Sequence, residues 1–92
     1  MKNKYLETLL LYYEEEIMGE GYFIALSEHF TEPHQKDKML LMAKVESYAA
    51  KAILPLLRKY KLIPRENRLL KDIGKKGLKK VSHLTWDEFI DD

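Results

Sequence analysis

Two long stretches of the sequence have helical periodicity, and only a very short break separates them. The first covers residues 3 to 30 and contains few helix breakers, and the second runs from Pro33 to about Lys61. The break reads Thr31-Glu32-Pro33, and a proline suits the first turn of a helix because an N–H there has no intrahelical partner. Two long helices with so short a link predict an antiparallel helical hairpin, and thus an all-α fold.

Each predicted helix has an apolar face, which is defined by a rotation of about 100° per residue. The face of the second helix comprises Met39, Met42, Ala43, Ala49, Ala50, Ile53, Leu57 and Tyr60. The broader face of the first helix comprises Tyr5, Leu6, Leu9, Tyr12, Tyr13, Ile17, Phe23, Ile24 and Phe30. Pro55 lies inside the second helix and should kink it or end it early, because proline lacks a backbone donor.

Three carboxylates interrupt these apolar faces. Glu46 lies at the centre of the second face, and Glu16 and Glu20 point into the first. A lone ionised carboxylate costs several kcal/mol to bury, so these groups must be paired, metal-bound, protonated or half exposed. Glu16 and Glu46 lie equally far from a turn centred near residue 31, so the hairpin should bring them to one level. They should repel each other unless a metal, a basic side chain or a shared proton lies between them.

The last third of the chain has a weaker pattern. Pro64 can open a third, shorter helix, which Gly74 and Gly77 should interrupt. Gly19 and Gly21, in the first helix, permit either a bulge or a close approach of another helix. We therefore divide the chain into a helical hairpin, residues 1 to 61, and a segment with a basic short helix and a C-terminal tail, residues 62 to 92.

Thr85-Trp86-Asp87-Glu88 has the form of a capping box, which starts a helix. The sequence ends four residues later at Asp92, and two interpretations stay open. Either the chain is the N-terminal part of a longer protein, or the segment is a short docking helix that buries Trp86, Phe89 and Ile90.

Composition excludes several classes of protein. The 92 residues include no cysteine, which excludes disulfides and thiolate metal sites and makes a reducing, cytoplasmic location the simplest expectation. No apolar run approaches the roughly 20 residues of a membrane span, so we expect no membrane partner. Residues 51 to 80 carry eleven basic and two acidic side chains. Three interpretations are open: these side chains form a solvated face, they meet the acidic half of a second copy, or they bind nucleic acid. We consider nucleic-acid binding unlikely because no aromatic side chains are interleaved with the basic ones.

Residues 5 to 61 resemble the ferritin-like superfamily, which includes ferritins, rubrerythrins and carboxylate-bridged di-iron hydroxylases. The resemblance rests on the run Glu16-Ile17-Met18-Gly19-Glu20-Gly21-Tyr22-Phe23, a short turn, and the run Leu40-Leu41-Met42-Ala43-Lys44-Val45-Glu46. It implies the N-terminal half of a four-helix bundle, completed by a homo-oligomer that is a dimer of hairpins. It also implies an iron or manganese centre for redox chemistry or storage, with Glu16 and Glu46 as ligands and Glu20 as a third candidate.

The sequence departs from that family in the second helix, and on the first helix the family's Glu-x6-Tyr pairing is met only by Glu15 and Tyr22. It reads Glu46-Ser47-Tyr48-Ala49 where the family usually has Glu-x-x-His, and alanine cannot bind a metal. The alternative is a non-catalytic helical interaction or oligomerisation module with a degenerate metal site. We leave enzymatic activity open. We expect self-association through the faces that carry Met39, Met42, Ile53 and Leu57.

Overall fold

The fold is a hairpin of two long helices with three short helices packed on it. The computed structural model describes residues 3–91, and this part of the chain forms helices and turns without a β-strand. The helices are α1 (Lys4–His29), α2 (Pro33–Lys59), α3 (Asn67–Lys75), α4 (Leu78–Val81) and α5 (Trp86–Ile90). Helices α1 and α2 pack along each other, and α3 packs on α1. The predicted all-α helical hairpin is therefore confirmed.

Local signals fix the ends of the hairpin. The Asn3 side chain accepts a hydrogen bond of 2.9 Å from the backbone N–H of Tyr5, which caps the start of α1. Pro33 occupies the first turn of α2, as predicted. Lys36 in that turn donates through Nζ to the carbonyl oxygen of Ser27 at 3.1 Å. The start of α2 thus satisfies a carbonyl near the end of α1, which holds the link between them.

Helix α2 continues past Pro55 to Lys59, so the proline does not end it. Pro55 lies on the exposed side of α2, where water can satisfy the carbonyl that lacks its helical donor. The helix ends where Lys61 adopts a φ of 57°, in the left-handed region. The N–H of Leu62 then donates to the carbonyl of Leu57 at 2.8 Å, which closes a Schellman motif.

Helix α3 begins at Asn67, so the prediction that Pro64 opens it is wrong. The carboxylate of Glu14 on α1 holds the preceding segment in place. It accepts hydrogen bonds from the backbone N–H of Arg65 at 2.9 Å and from its guanidinium at 3.3 and 3.1 Å. The chain from α2 to α3 is therefore anchored to α1 before the third helix starts.

Two glycines allow α1 and α3 to approach backbone to backbone. A β-carbon added at Gly21 would overlap the carbonyl oxygen of Lys71, and one added at Gly74 would overlap that of Met18. Of the two roles that Gly19 and Gly21 permit, the structure has a close helix approach at Gly21. Gly74 lies within α3 and does not interrupt it, because the contact with α1 requires a residue without a side chain.

The apolar core consists of two clusters. One joins both long helices to α3, and its buried members are Leu9, Tyr13, Ile17, Ala50, Leu57 and Leu70. The other lies at the turn end of the hairpin and contains Leu26, Phe30 and Met39, with partly buried Tyr22, Phe23, Leu78, Val81, Trp86 and Phe89 packed against it. The short helices α4 and α5 cover that end.

The C-terminal segment docks on the turn end of the hairpin. The predicted capping box is confirmed: Thr85 N–H donates to Glu88 Oε1 at 2.9 Å, and Glu88 N–H donates to Thr85 Oγ1 at 3.2 Å. The ring centroids of Trp86 and Phe89 lie 5.1 and 5.3 Å from that of Phe30. The docking-helix interpretation holds for these two aromatic residues and is wrong for Ile90, which is exposed. Asp92 lies outside the described residues.

Candidate functional site

Glu16 and Glu46 form a carboxylate pair between the two long helices. Their side chains lie close enough together for a hydrogen bond when one of them is protonated, as the predicted register of the hairpin requires. Gly19 provides the space, because a β-carbon placed there would lie 3.1 Å from both Cδ and Oε1 of Glu46. The pair lies along the hairpin between the two apolar clusters, at a point where both side chains are half-buried. The predicted juxtaposition of Glu16 and Glu46 is therefore confirmed.

The environment of Glu46 favours its protonated form. The pKa of Glu46 is raised from its ordinary value of 4.5 to about 7, chiefly by a hydrogen bond with Glu16 and also by burial and by the negative charge of Glu16. A carboxylic acid that donates to a carboxylate carries one negative charge on two groups. A shared proton would therefore relieve the repulsion between these residues.

The third predicted ligand, Glu20, has a different partner. Its Oε2 lies 3.6 Å from Nζ of Lys71 on α3, so it forms an ion pair across the α1–α3 contact. Within residues 3–91, no group of three or more His, Cys, Asp or Glu side chains is arranged to hold a metal ion. Glu16 and Glu46 offer carboxylate oxygens of the kind that iron and manganese bind, but the set of ligands from one chain is incomplete.

Sequence reasoning missed Glu14, which is the most buried carboxylate of α1. Its exposed fraction is only 9%, and it accepts three hydrogen bonds from Arg65. The side-chain hydrogen bond from Arg65 holds the pKa of Glu14 below its ordinary value, against the effect of burial. No pattern in the sequence indicates this contact, since the two residues lie far apart in the chain and meet only after α3 has docked.

The side of α2 that faces away from α1 carries an exposed apolar stripe. We call this the outer stripe, and it comprises Leu41, Val45, Tyr48, Ala52 and Pro55. These residues follow one another at alternating spacings of four and three, the spacing of a helix–helix interface. The exposed fractions of the three larger side chains are high: 60% for Leu41, 52% for Val45 and 61% for Tyr48.

The opposite side of α2 is already covered. Met39 and Leu57 are only 3% and 1% exposed, because α1 and the C-terminal helices pack on them. Met39 and Leu57 are therefore not available for the predicted self-association, whereas Met42 is exposed, and self-association itself stays a prediction. The sequence made both sides of α2 apolar, and the structure shows that α1 takes one side and leaves the outer stripe uncovered.

Comparisons with protein-family models, with curated proteins and with solved structures gave no match. The resemblance of residues 5 to 61 to the ferritin-like superfamily therefore stays a prediction. Neither long helix contains a segment apolar enough to cross a bilayer, and the same holds for the other helices within residues 3–91.

Proposed function

We propose that this chain is a non-catalytic helical interaction module that binds a further amphipathic helix along the outer stripe of α2. The exposure of Leu41, Val45 and Tyr48 carries the proposal. These side chains have helix-interface spacing on a helix whose other side is buried, and an apolar stripe of this kind is typical of a surface that another helix covers. An added helix would complete a bundle with α1 and α2.

The outer stripe by itself can give an added helix only a modest binding affinity. Covering the exposed part of each of its three larger side chains contributes about 1 kcal/mol, and the matching side chains of the added helix contribute a similar amount. Association itself costs at least about 4 kcal/mol in lost translational and rotational freedom. The outer stripe alone therefore supports weak, reversible binding, and additional contacts must strengthen it.

A neutral helical peptide tests this proposal. The probe is a fluorescent peptide of about three heptads with leucine at the a and d positions and alanine or glutamine elsewhere. We expect the Leu41→Ser/Val45→Ser variant to bind it about tenfold more weakly than the unsubstituted chain, as measured by fluorescence anisotropy. The matched control is Leu11→Ser/Leu69→Ser, which removes two leucines of similar exposure from α1 and α3. Equal loss of affinity in both variants would contradict the proposal.

The homo-oligomer predicted from the sequence is one form of this function, in which a second copy supplies the added helix. Light scattering at high micromolar concentration tests it. A dimer mass that falls to a monomer mass in Leu41→Ser/Val45→Ser would support self-association through the outer stripe. A monomer mass for the unsubstituted chain would leave the added helix to another protein.

A second candidate function is a carboxylate metal centre of the ferritin-like type. The contact between Glu16 and Glu46 favours it, because two inward carboxylates at one level of a helical bundle are the start of such a site. Further ligands would have to come from a second copy. Metal analysis of protein purified without chelator tests this candidate: iron or manganese bound by the unsubstituted chain and lost in Glu46→Gln would support it, and a metal content unchanged by the substitution would contradict it.

A further inference from the structure

The side chains that flank the outer stripe have a strong charge bias. Along one edge run Lys44, Lys51 and Arg58, spaced seven residues apart and all exposed, and we call them the basic row. The other edge is uncharged and consists of Met42, Ala49 and Leu56. The position one heptad before Lys44 is occupied by Asp37, which is the one acidic residue at these flanking positions of α2. A helix that covers the stripe therefore meets positive charge along one edge.

The lysines of the basic row form no ion pair with the described part of their own chain. Within residues 3–91, no carboxylate lies within ion-pair distance of Lys44 or Lys51. Glu20 shares a shallow depression with both lysines, but its ion pair is with Lys71. Nζ of Lys51 lies 5.8 Å from the centroid of the Tyr48 ring, which places its charge directly beside the stripe.

We propose that the helix bound by the outer stripe is acidic, with Asp or Glu along the edge that faces Lys44 and Lys51. This inference rests on the proposed function and specifies its partner. In paired helices, side chains next to the apolar positions meet those of the partner helix, and their charges set partner choice and orientation. Each such pair contributes less than about 1 kcal/mol at an exposed site, so the row acts mainly on selectivity and association rate.

A second copy of α2 does not fit this requirement. If two copies of α2 paired antiparallel with Lys44 of each copy opposite Lys51 of the other, these like charges would repel. In the same register Asp37 of each copy would lie opposite Arg58 of the other and attract it, so self-pairing would gain no net attraction, whereas an acidic helix would meet three basic side chains. A parallel pair would place Lys44 and Lys51 opposite Ala49 and Leu56, which offer no charge. Charge complementarity therefore favours a helix from an acidic partner protein over self-pairing.

A lipid surface also fits less well. Membrane-surface helices combine a basic polar face with a wide apolar face that carries Trp, Phe or Leu. The outer stripe is a single narrow line, its later members are Ala52 and Pro55, and its one aromatic residue is Tyr48. A narrow stripe with one charged edge matches the groove contact of a helix more closely than insertion into a bilayer.

Two peptides of opposite charge test the inference. Both are labelled helical peptides of about three heptads with leucine at the a and d positions, one with glutamate and one with lysine at the e and g positions. We expect the unsubstituted chain to bind the acidic peptide about tenfold more tightly than the basic one at about 0.05 M salt, and the preference to shrink as salt is added. Lys44→Glu/Lys51→Glu should reverse the preference. The matched control is Lys75→Glu/Lys79→Glu, which makes the same change in net charge at exposed lysines of α3 and α4 and should keep it.

Each other outcome overturns the inference in a distinguishable way. Equal binding of both peptides, lost in Leu41→Ser/Val45→Ser, would overturn the acidic partner but leave the helix-binding function intact. Binding of neither peptide by a chain that dimerises through the outer stripe would show that the occupant is a second copy. Binding of phosphatidylglycerol vesicles in place of either peptide would assign the surface to anionic lipid. Binding of none of these by a monomeric chain would overturn the proposed function as well.

Discussion

At the scale of single residues, the carboxylate pair links the stability of the hairpin to pH. The folded-state pKa of Glu46 is about 7, above its ordinary value of 4.5, so the folded chain holds this proton more tightly than the unfolded chain. The stabilisation is fully present below the ordinary pKa and is lost as the pH rises through the folded-state value. Because both groups are half-buried, the effect is small after allowance for solvent screening, on the order of 1 kcal/mol.

Glu46→Gln should remove this pH dependence. A glutamine amide can still donate a hydrogen bond to Glu16 but cannot ionise. Its contribution to the free energy of unfolding should therefore be constant between about pH 4.5 and 7. Urea unfolding at a series of pH values measures the difference between the variant and the unsubstituted chain. An unsubstituted chain that loses no stability relative to Glu46→Gln over this range would mean that the two carboxylates do not share a proton.

Glu14 differs from Glu46, because it is ionised in the folded chain and bound to Arg65. Its substitution by alanine removes three hydrogen bonds and leaves the extended segment before α3 without its anchor. We expect Glu14→Ala to lower the free energy of unfolding by about 1–3 kcal/mol. The control is Glu15→Ala at the neighbouring position. Because Glu15 is exposed, this substitution should lower the free energy of unfolding by less than about 0.5 kcal/mol. Chemical denaturation measures both, and equal effects would contradict the anchoring role of Glu14.

At the scale of elements, the contact between α1 and α3 depends on the absence of side chains. A β-carbon at Gly21 would overlap the backbone of Lys71, which cannot move without displacing α3. We expect Gly21→Ala to destabilise the fold by about 3 kcal/mol, the upper part of the usual range for an overpacked core. Thermal melting measures the change.

Gly19→Ala is the matched control on the same helix. Its new β-carbon meets the carboxylate of Glu46, the far end of a flexible side chain, which can shift. Replacing glycine by alanine inside a helix also gains about 1 kcal/mol of helix propensity, so this variant should be nearly neutral or more stable. If Gly21→Ala were tolerated as well as Gly19→Ala, α3 would not pack on α1 as described.

The elements that the sequence predicts correctly are those set by local signals and long periodicity. Pro33, the Thr85 capping box and the apolar faces of α1 and α2 specify the hairpin and the start of α5. The equal distance of Glu16 and Glu46 from the turn was enough to predict their contact. These features require only helix geometry and the position of one turn.

The remaining features depend on contacts between distant segments. The start of α3 at Asn67 follows from the bond between Glu14 and Arg65, and Gly74 lies within a helix because it meets α1 there. Apolar periodicity placed Met39 and Leu57 on the side of α2 that faces α1, as observed, but it could not show that a single chain buries them and leaves a second apolar side exposed. Only the packed structure separates the buried side, with Met39 and Leu57, from the outer stripe.

At the scale of the whole molecule, the chain is a hairpin whose parts are covered unevenly. Helix α1 is packed against α2 on one side and against α3 on another, whereas α2 is packed mainly against α1. The short helices α4 and α5 cover the turn end of the hairpin and leave the outer stripe uncovered. The uncovered apolar surface and the two lysines that form no ion pair within residues 3–91, Lys44 and Lys51, therefore lie together on α2, which concentrates the proposed binding on one helix.

Intermolecular nuclear Overhauser effects between the chain and the bound acidic peptide test this account most directly, because they locate the contact. We expect contacts from the peptide leucines to the methyl groups of Leu41 and Val45 and to the ring of Tyr48. Contacts to Leu11, Ile63 or Leu69, which are also exposed but lie off the outer stripe, would contradict it.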